Sequence, residues 1–187
     1  MDSQCRKRRS RHGMVLVALT FLAAPPAPAQ RSEGPKPSQH GTVSQTVAAT
    51  EVSVSYNRPV ARGRTLFGPG GVVPYGRPWC PGADDATTVQ FSDDVVIEGQ
   101  ELAAGRYTLW AIPDAQEWVV IFSTAVDVWH TPYPGEARDA LRIRVTPTAG
   151  EHMEAMAYYF PEVGPDTATL RFHWGTVVVP IRLRVAS

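Results

Sequence analysis

The sequence predicts an all-β protein: an antiparallel β-sandwich, jelly-roll-like, of about eight to ten short strands. Three observations predict it. From Val47 onward apolar and polar residues alternate with a period of two, the mark of a strand with one side in a core and one in water. No stretch keeps apolar residues at helical spacing over three turns. Glycine- and proline-rich turns punctuate the alternating runs.

The elements follow in order. Val52, Val54 and Tyr56 alternate with Ser53 and Ser55. Val95-Val96-Ile97 runs into the turn Glu98-Gly99-Gln100-Glu101, and Leu102-Ala103-Ala104-Gly105 brings the chain back. Tyr107 to Ile112 (YTLWAI) and Trp118 to Phe122 (WVVIF) are apolar at nearly every position and are joined by Pro113-Asp114-Ala115-Gln116-Glu117. They predict a hairpin in the middle of a sheet with both faces covered. Between Val126 and Asp139 there is room for one short turn at most, because Pro132, Pro134 and Gly135 interrupt the segment. Leu141, Ile143 and Val145 form a further strand. Ala168 to Trp174 and Ile181 to Val185 form the last two, with a turn expected at Trp174-Gly175-Thr176. In the first of these His173 alternates with Phe172 and Trp174, which points it outward.

The first 29 residues read as an export signal. Arg6, Lys7, Arg8, Arg9 and Arg11 make a basic start, Met14 to Ala24 is a short apolar run, and Ala27-Pro28-Ala29 offers small residues for cleavage before Gln30. The apolar run of 11 residues is too short to span a bilayer, which takes about 20. The Arg8-Arg9 pair also fits twin-arginine export. Residues 30–46 are polar and carry little to bury, so they read as a flexible tether, with His40 a solvated residue on it. Residues 47–187 form the single β-sandwich domain. The leader takes five of the 18 basic and one of the 18 acidic residues, leaving 13 against 17 and a formal charge of −4. That balance opposes nucleic acid and anionic membrane as partners. Cys80 is then the one remaining cysteine, with no disulfide to form inside the chain, and a buried, inert thiol is the expectation.

Several strings resemble a known family. "YNRPVARGRTLFG", "VPYGRPW", "GADDATTVQFSDDVVIEGQELAAGRYTLWAIP" and "EWVVIFS" occur in the order found in a bacterial family catalogued as domain of unknown function 2911. The resemblance covers roughly residues 47 to 185 and includes the ending "LRFHWGTVVVPIRL". It implies an exported, all-β protein and assigns no activity. Where the family usually reads W-R-T-G-A-N-E, this chain has Trp79-Cys80-Pro81-Gly82-Ala83-Asp84-Asp85, so an arginine is replaced by Cys80 and an asparagine by Asp84.

The candidate site is the irregular stretch 73–87, "VPYGRPWCPGADDAT". Tyr75 and Trp79 offer aromatic faces, and Arg58, Arg77, Asp84 and Asp85 offer hydrogen-bonding groups around them. Aromatic faces with paired polar groups suit a carbohydrate, whose C–H faces are apolar and whose rim is hydroxyl. The competing structural reading has Tyr75 and Trp79 plugging one end of the sandwich while Asp84 shapes a turn. Asp84, Asp85, Asp93 and Asp94 flank one strand too long for all four to meet at one ion, so no metal or other cofactor is expected. No histidine pair has ligand spacing and no G-x-S-x-G is present. The sequence therefore favours a binding module for a carbohydrate or cell-envelope component. An envelope enzyme using the loop aspartates or His130 is the alternative, and a purely structural or interaction protein is a third. The arginines Arg142, Arg144, Arg171, Arg182 and Arg184 fall on outward strand positions. They make either a basic stripe or a solvated face paired to acids such as Glu151, Glu154 or Asp166.

Overall fold

The period-two segments are strands in the computed structural model, which describes residues 37–185. In chain order these are β1 (Gln39–Val47), β2 (Thr50–Arg58), β3 (Thr88–Phe91), β4 (Val95–Ile97), β5 (Gln100–Leu102), β6 (Gly105–Ile112), β7 (Trp118–Ser123), β8 (Asp139–Val145), β9 (Thr148–Val163) and β10 (Thr167–Val185). One short 3-10 turn, Glu136–Arg138, is the only helical piece among the described residues. All pairings between these strands are antiparallel. One sheet has six strands in the order β1-β2-β3-β6-β7-β8, the other four in the order β5-β4-β10-β9. The six-stranded sheet runs mainly from neighbour to neighbour and the β4–β5 hairpin leaves it, so the sandwich has more of a meander than a jelly roll has. Glu98 and Gly99 form that hairpin's two-residue turn, with φ of 47° and 82°. Positive φ at both positions gives the twist that matches the flanking strands.

The inner faces make the main core. Val52, Val54, Leu109, Val120, Phe122 and Ile143 of the first sheet meet Leu170, Phe172, Trp174, Ile181 and Leu183 of the second. The hairpin β6–β7 is buried on its other face as well, as its composition predicts. Trp110 and Ile121 lie there in a smaller cluster with Cys80 and Ala86, and Ile112, Val119, Val128 and Tyr133 pack against it. Two irregular segments, 73–87 and 126–139, thus form a lid over the outside of the sheet. That lid positions the site.

Four expectations need correction or sharpening. Residues 39–46, read as tether, belong to β1, whose nine residues pair with β2 in unbroken register from Gln39↔Arg58 to Val47↔Thr50. Weakly apolar Thr, Ser and Gln serve an edge strand well, because an edge buries little. The signal-peptide reading and residues 30–36 of the tether lie outside the described residues. The turn at Trp174-Gly175-Thr176 is instead a bulge inside one 19-residue strand, with Gly175 at φ 60°. The left-handed φ is what favours glycine there; a β-carbon would also come 2.7 Å from Leu66 Cδ1, so that side-chain tip would have to shift.

His173, expected to face water, is instead buried against β9, while Phe172 and Trp174 on either side of it lie in the core. The His173 Nε2–H donates to the Glu151 carbonyl at 2.9 Å, and its Nδ1 lies 3.1 Å from the Tyr159 hydroxyl. Of the five arginines, Arg144, Arg171 and Arg182 line one cleft with Glu98 and Glu162, and four of the five are ion-paired. Arg142 pairs with Asp139 and Glu136, Arg144 with Glu117, Arg171 with Glu162 and Arg182 with Glu98. The solvated, paired face is the right description, although the acids differ from those expected.

Candidate functional site

Segment 73–87 divides into two halves. Trp79 bonds through its backbone to Ala111 of β6, with N–H···O distances of 2.8 and 2.7 Å in the two directions. Its indole enters the aromatic centre of the molecule, stacked on Trp174 at 6.2 Å and edge-on to Phe67 and Phe172, both at 5.9 Å. Cys80 is fully buried, and burial pushes its thiol up to about 12, beyond reach of ionisation at neutral pH. The Pro81 carbonyl accepts from Thr87 Oγ1 at 2.8 Å and from the Tyr158 hydroxyl at 3.0 Å. The Ala83 carbonyl accepts from Asn57 Nδ2 at 2.9 Å. Every polar backbone group named here is satisfied inside the protein, as burial demands. This half is scaffold.

The other half opens. Asp84 adopts φ 59°, a conformation asparagine and aspartate tolerate better than most residues. Its carbonyl accepts from the His130 backbone N–H at 3.1 Å and from His130 Nδ1–H at 2.6 Å. Ala86 N–H donates to the Val128 carbonyl at 3.1 Å, and Asp85 and Trp129 face each other as a β-bridge. The two irregular segments thus zip together along 84–86 and 128–130. One oxygen of Asp84, Oδ2, is buried without a hydrogen-bond partner.

Beneath that zipper lies a cleft of about 490 Å³. Its floor is the outer face of the first sheet, with His40 from β1, Ser55 and Asn57 from β2, Thr88 from β3 and Arg106 from β6. Asp85, Asp127 and Trp129 make its wall. Strand alternation explains the floor: Val52, Val54 and Tyr56 point into the core, so Ser53 and Ser55 point out. Arg106 pairs with Asp127 at 2.9 Å, which anchors the wall to the floor. Trp129 is 49 % exposed, a large apolar surface beside a polar floor. Ser55 Oγ and His40 Nε2 are 3.4 Å apart, and His40 Nε2 is equally far from Thr42 Oγ1. Among the described residues, no carboxylate is hydrogen-bonded to His40. His130 is held by a backbone carbonyl and not by a hydroxyl or thiol side chain.

The residues expected at the site are spread out. Asp85 lines the cleft and Asp84 holds its rim. Trp79 is half-buried and packs against the core. Tyr75 lies over Gly68, Arg77 is exposed at the segment's far end, and Arg58 turns away, its Nε donating to the Met156 carbonyl at 2.8 Å. Asp93 and Asp94 serve the turn after β3, accepting from Ser92 Oγ and from the Ala104 N–H. Among the described residues no three metal-ligating side chains come together. Trp129, His40, Ser55 and Arg106 were not singled out from sequence as binding residues. An isolated tryptophan in a proline-rich loop is the one signal that could have found them.

A larger cleft, about 880 Å³, lies on the outside of the second sheet. Glu98, Glu162, Arg182 and Arg184 line it; the first three are engaged in the pairs named above, and no aromatic residue takes part. The smaller cleft has the better chemistry for a ligand.

Fold and cleft together define an all-β sandwich protein with an open, polar, tryptophan-walled depression under a loop zipper. The chain belongs to the family described as "Protein of unknown function (DUF2911)", whose model matches residues 38–183. The match begins at β1, in agreement with its place in the domain. No curated protein and no solved structure matches the chain significantly. No helix among the described residues is long and apolar enough to cross a membrane.

Proposed function

We propose that this is an exported binding module for a carbohydrate of the cell envelope, and that the cleft beneath Trp129 is where it binds. The single observation that carries the reading is the pairing of a half-exposed indole with a floor of neutral and charged hydrogen-bonding groups. A sugar ring presents an apolar C–H face and a hydroxyl rim, so it asks for both at once. Asp85 supplies rim contacts on one side, His40 and Ser55 on the other. The Arg106–Asp127 pair holds the wall and can share a hydroxyl between donor and acceptor. Export is supported by the basic-then-apolar start of the sequence.

The test is a glycan array followed by calorimetry on the wild type and Trp129→Ala. The proposal expects a glycan signal from the wild type and its loss by at least about tenfold in the variant, the scale of a lost stacking contact. Silence across neutral, acidic and amino-sugar glycans would remove it.

A further inference from the structure

The four sheet edges of the molecule are not equally protected. β5 is only three residues long and carries Glu101. β8 carries Asp139, Arg142 and Arg144, and its pairing with β7 is broken by a bulge. β9 carries Glu151, Glu154, Pro161 and Glu162, and its pairing with β10 shifts register three times. Shortness, charge, proline and bulges are the devices by which sheets discourage a further strand from adding. β1 has none of them. Its nine residues, QHGTVSQTV, include no lysine, arginine, aspartate, glutamate or proline, and they pair with β2 without a bulge.

From His40 to Val47, the open side of β1 is therefore a row of pairing groups facing away from β2. Of residues 40–47, only the Thr46 carbonyl is otherwise engaged, by the Gln45 side chain at 2.8 Å; no other main-chain group there bonds outside the ladder with β2. Val43 sits at the middle of the strand, half-buried and packed against the core.

We infer that β1 is a dimerisation edge, and that its occupant is β1 of a second copy of this chain. The strand is self-complementary about Val43. An antiparallel partner related by a two-fold axis there sets Val43 against Val43, Thr42 against Ser44, Gly41 against Gln45 and His40 against Thr46. Every polar pair brings hydroxyl, amide or imidazole together, and no like charges meet. A charged residue anywhere in β1 would narrow that pairing, and the strand has none. The two six-stranded sheets join into one continuous sheet, with an isologous interface that closes at two copies. The inference stands apart from the sugar-binding reading and does not need it.

Sedimentation velocity over a micromolar-to-millimolar series tests it, together with residue-resolved hydrogen exchange. The expected result is a monomer–dimer equilibrium in which alternate amides of β1 gain protection as the dimer forms. Combining Thr42→Lys with Ser44→Lys sets like charges opposite each other twice across the axis, on exposed positions that leave the core intact. That variant should keep its near-ultraviolet circular dichroism and weaken the dimer roughly tenfold or more. Three results would overturn the inference: a monomer throughout the series, a dimer indifferent to the two lysines, or protection of β1 amides only when an unrelated extended peptide is added.

Discussion

Trp79 and Trp129 belong to the two segments that together cover the outside of β6 and β7, yet their surroundings are opposite. Around Trp79 the chain turns inward: the indole stacks on Trp174, Cys80 is sealed, and the Pro81 carbonyl is bound twice. Around Trp129 it turns outward: Asp84 changes hand at φ 59°, and the zipper with residues 128–130 ends in an exposed indole over a polar floor. The difference shows that aromatic content alone does not mark a site. What distinguishes the two is whether the indole's partners are other rings or hydrogen-bonding groups left facing water. One tryptophan holds the lid to the core, and the other gives the lid a surface.

That contrast is open to breaking by substitution. The largest effect falls on the inward half. Trp79→Ala should cost about 3–5 kcal/mol in denaturant unfolding, because it empties the centre of an aromatic cluster. Full stability in that variant would mean the indole is not buried as described. Gly82→Ala comes next: its new methyl would collide with Thr87 Oγ1, the donor to the Pro81 carbonyl. Displacing that hydroxyl should lower stability by about 1–3 kcal/mol. On the outward half, Asp84→Asn should raise stability by about 1 kcal/mol. The aspartate leaves a buried oxygen without a donor, whereas an amide is neutral and keeps the same backbone preference. Smallest of all, Trp129→Ala should leave the unfolding midpoint within about 0.5 kcal/mol of wild type, as surface changes do. A large loss there would make Trp129 a second structural plug.

The same contrast can be read chemically. The Cys80 thiol, pushed up by burial, should resist alkylation by iodoacetamide in the folded protein at pH 8 and react once denaturant is added. Reaction in the native state would show that the inward half opens.

How much of this was legible in the sequence depends on how local the signal is. The fold class and most strands were, because alternation in β2, β8 and the end of β10 is set by one wet face and one dry one. The double burial of β6–β7 was legible too, since Trp110 and Ile121 have no reason to be apolar unless something covers them. β1 escaped because an edge strand buries little and so needs no apolar residues. β9 was hidden for another reason. Its register shifts break the alternation, so a stretch such as EHMEAMAYYF shows neither period cleanly. His173 was read as solvent-facing because what covers it, Glu151 and Tyr159 of β9, is distant in the chain. Of the residues the sequence singled out, Asp84 and Asp85 lie at the candidate cleft, whereas Tyr75, Arg77, Trp79 and Arg58 lie elsewhere. Trp79 and Trp129 look alike in composition, and only the long-range pairing of residues 84–86 with 128–130 separates them. Arg58 and Arg77 show the same limit, since their direction depends on strands far away in the chain.

The most direct test of the central claim follows the indole N–H signals of the protein's five tryptophans by NMR while soluble envelope glycans, peptidoglycan fragments among them, are added. The account predicts that the Trp129 resonance shifts with ligand while those of Trp79, Trp110, Trp118 and Trp174 stay in place. Movement of the Trp79 signal with Trp129 unaffected, or no movement with any glycan, would contradict it.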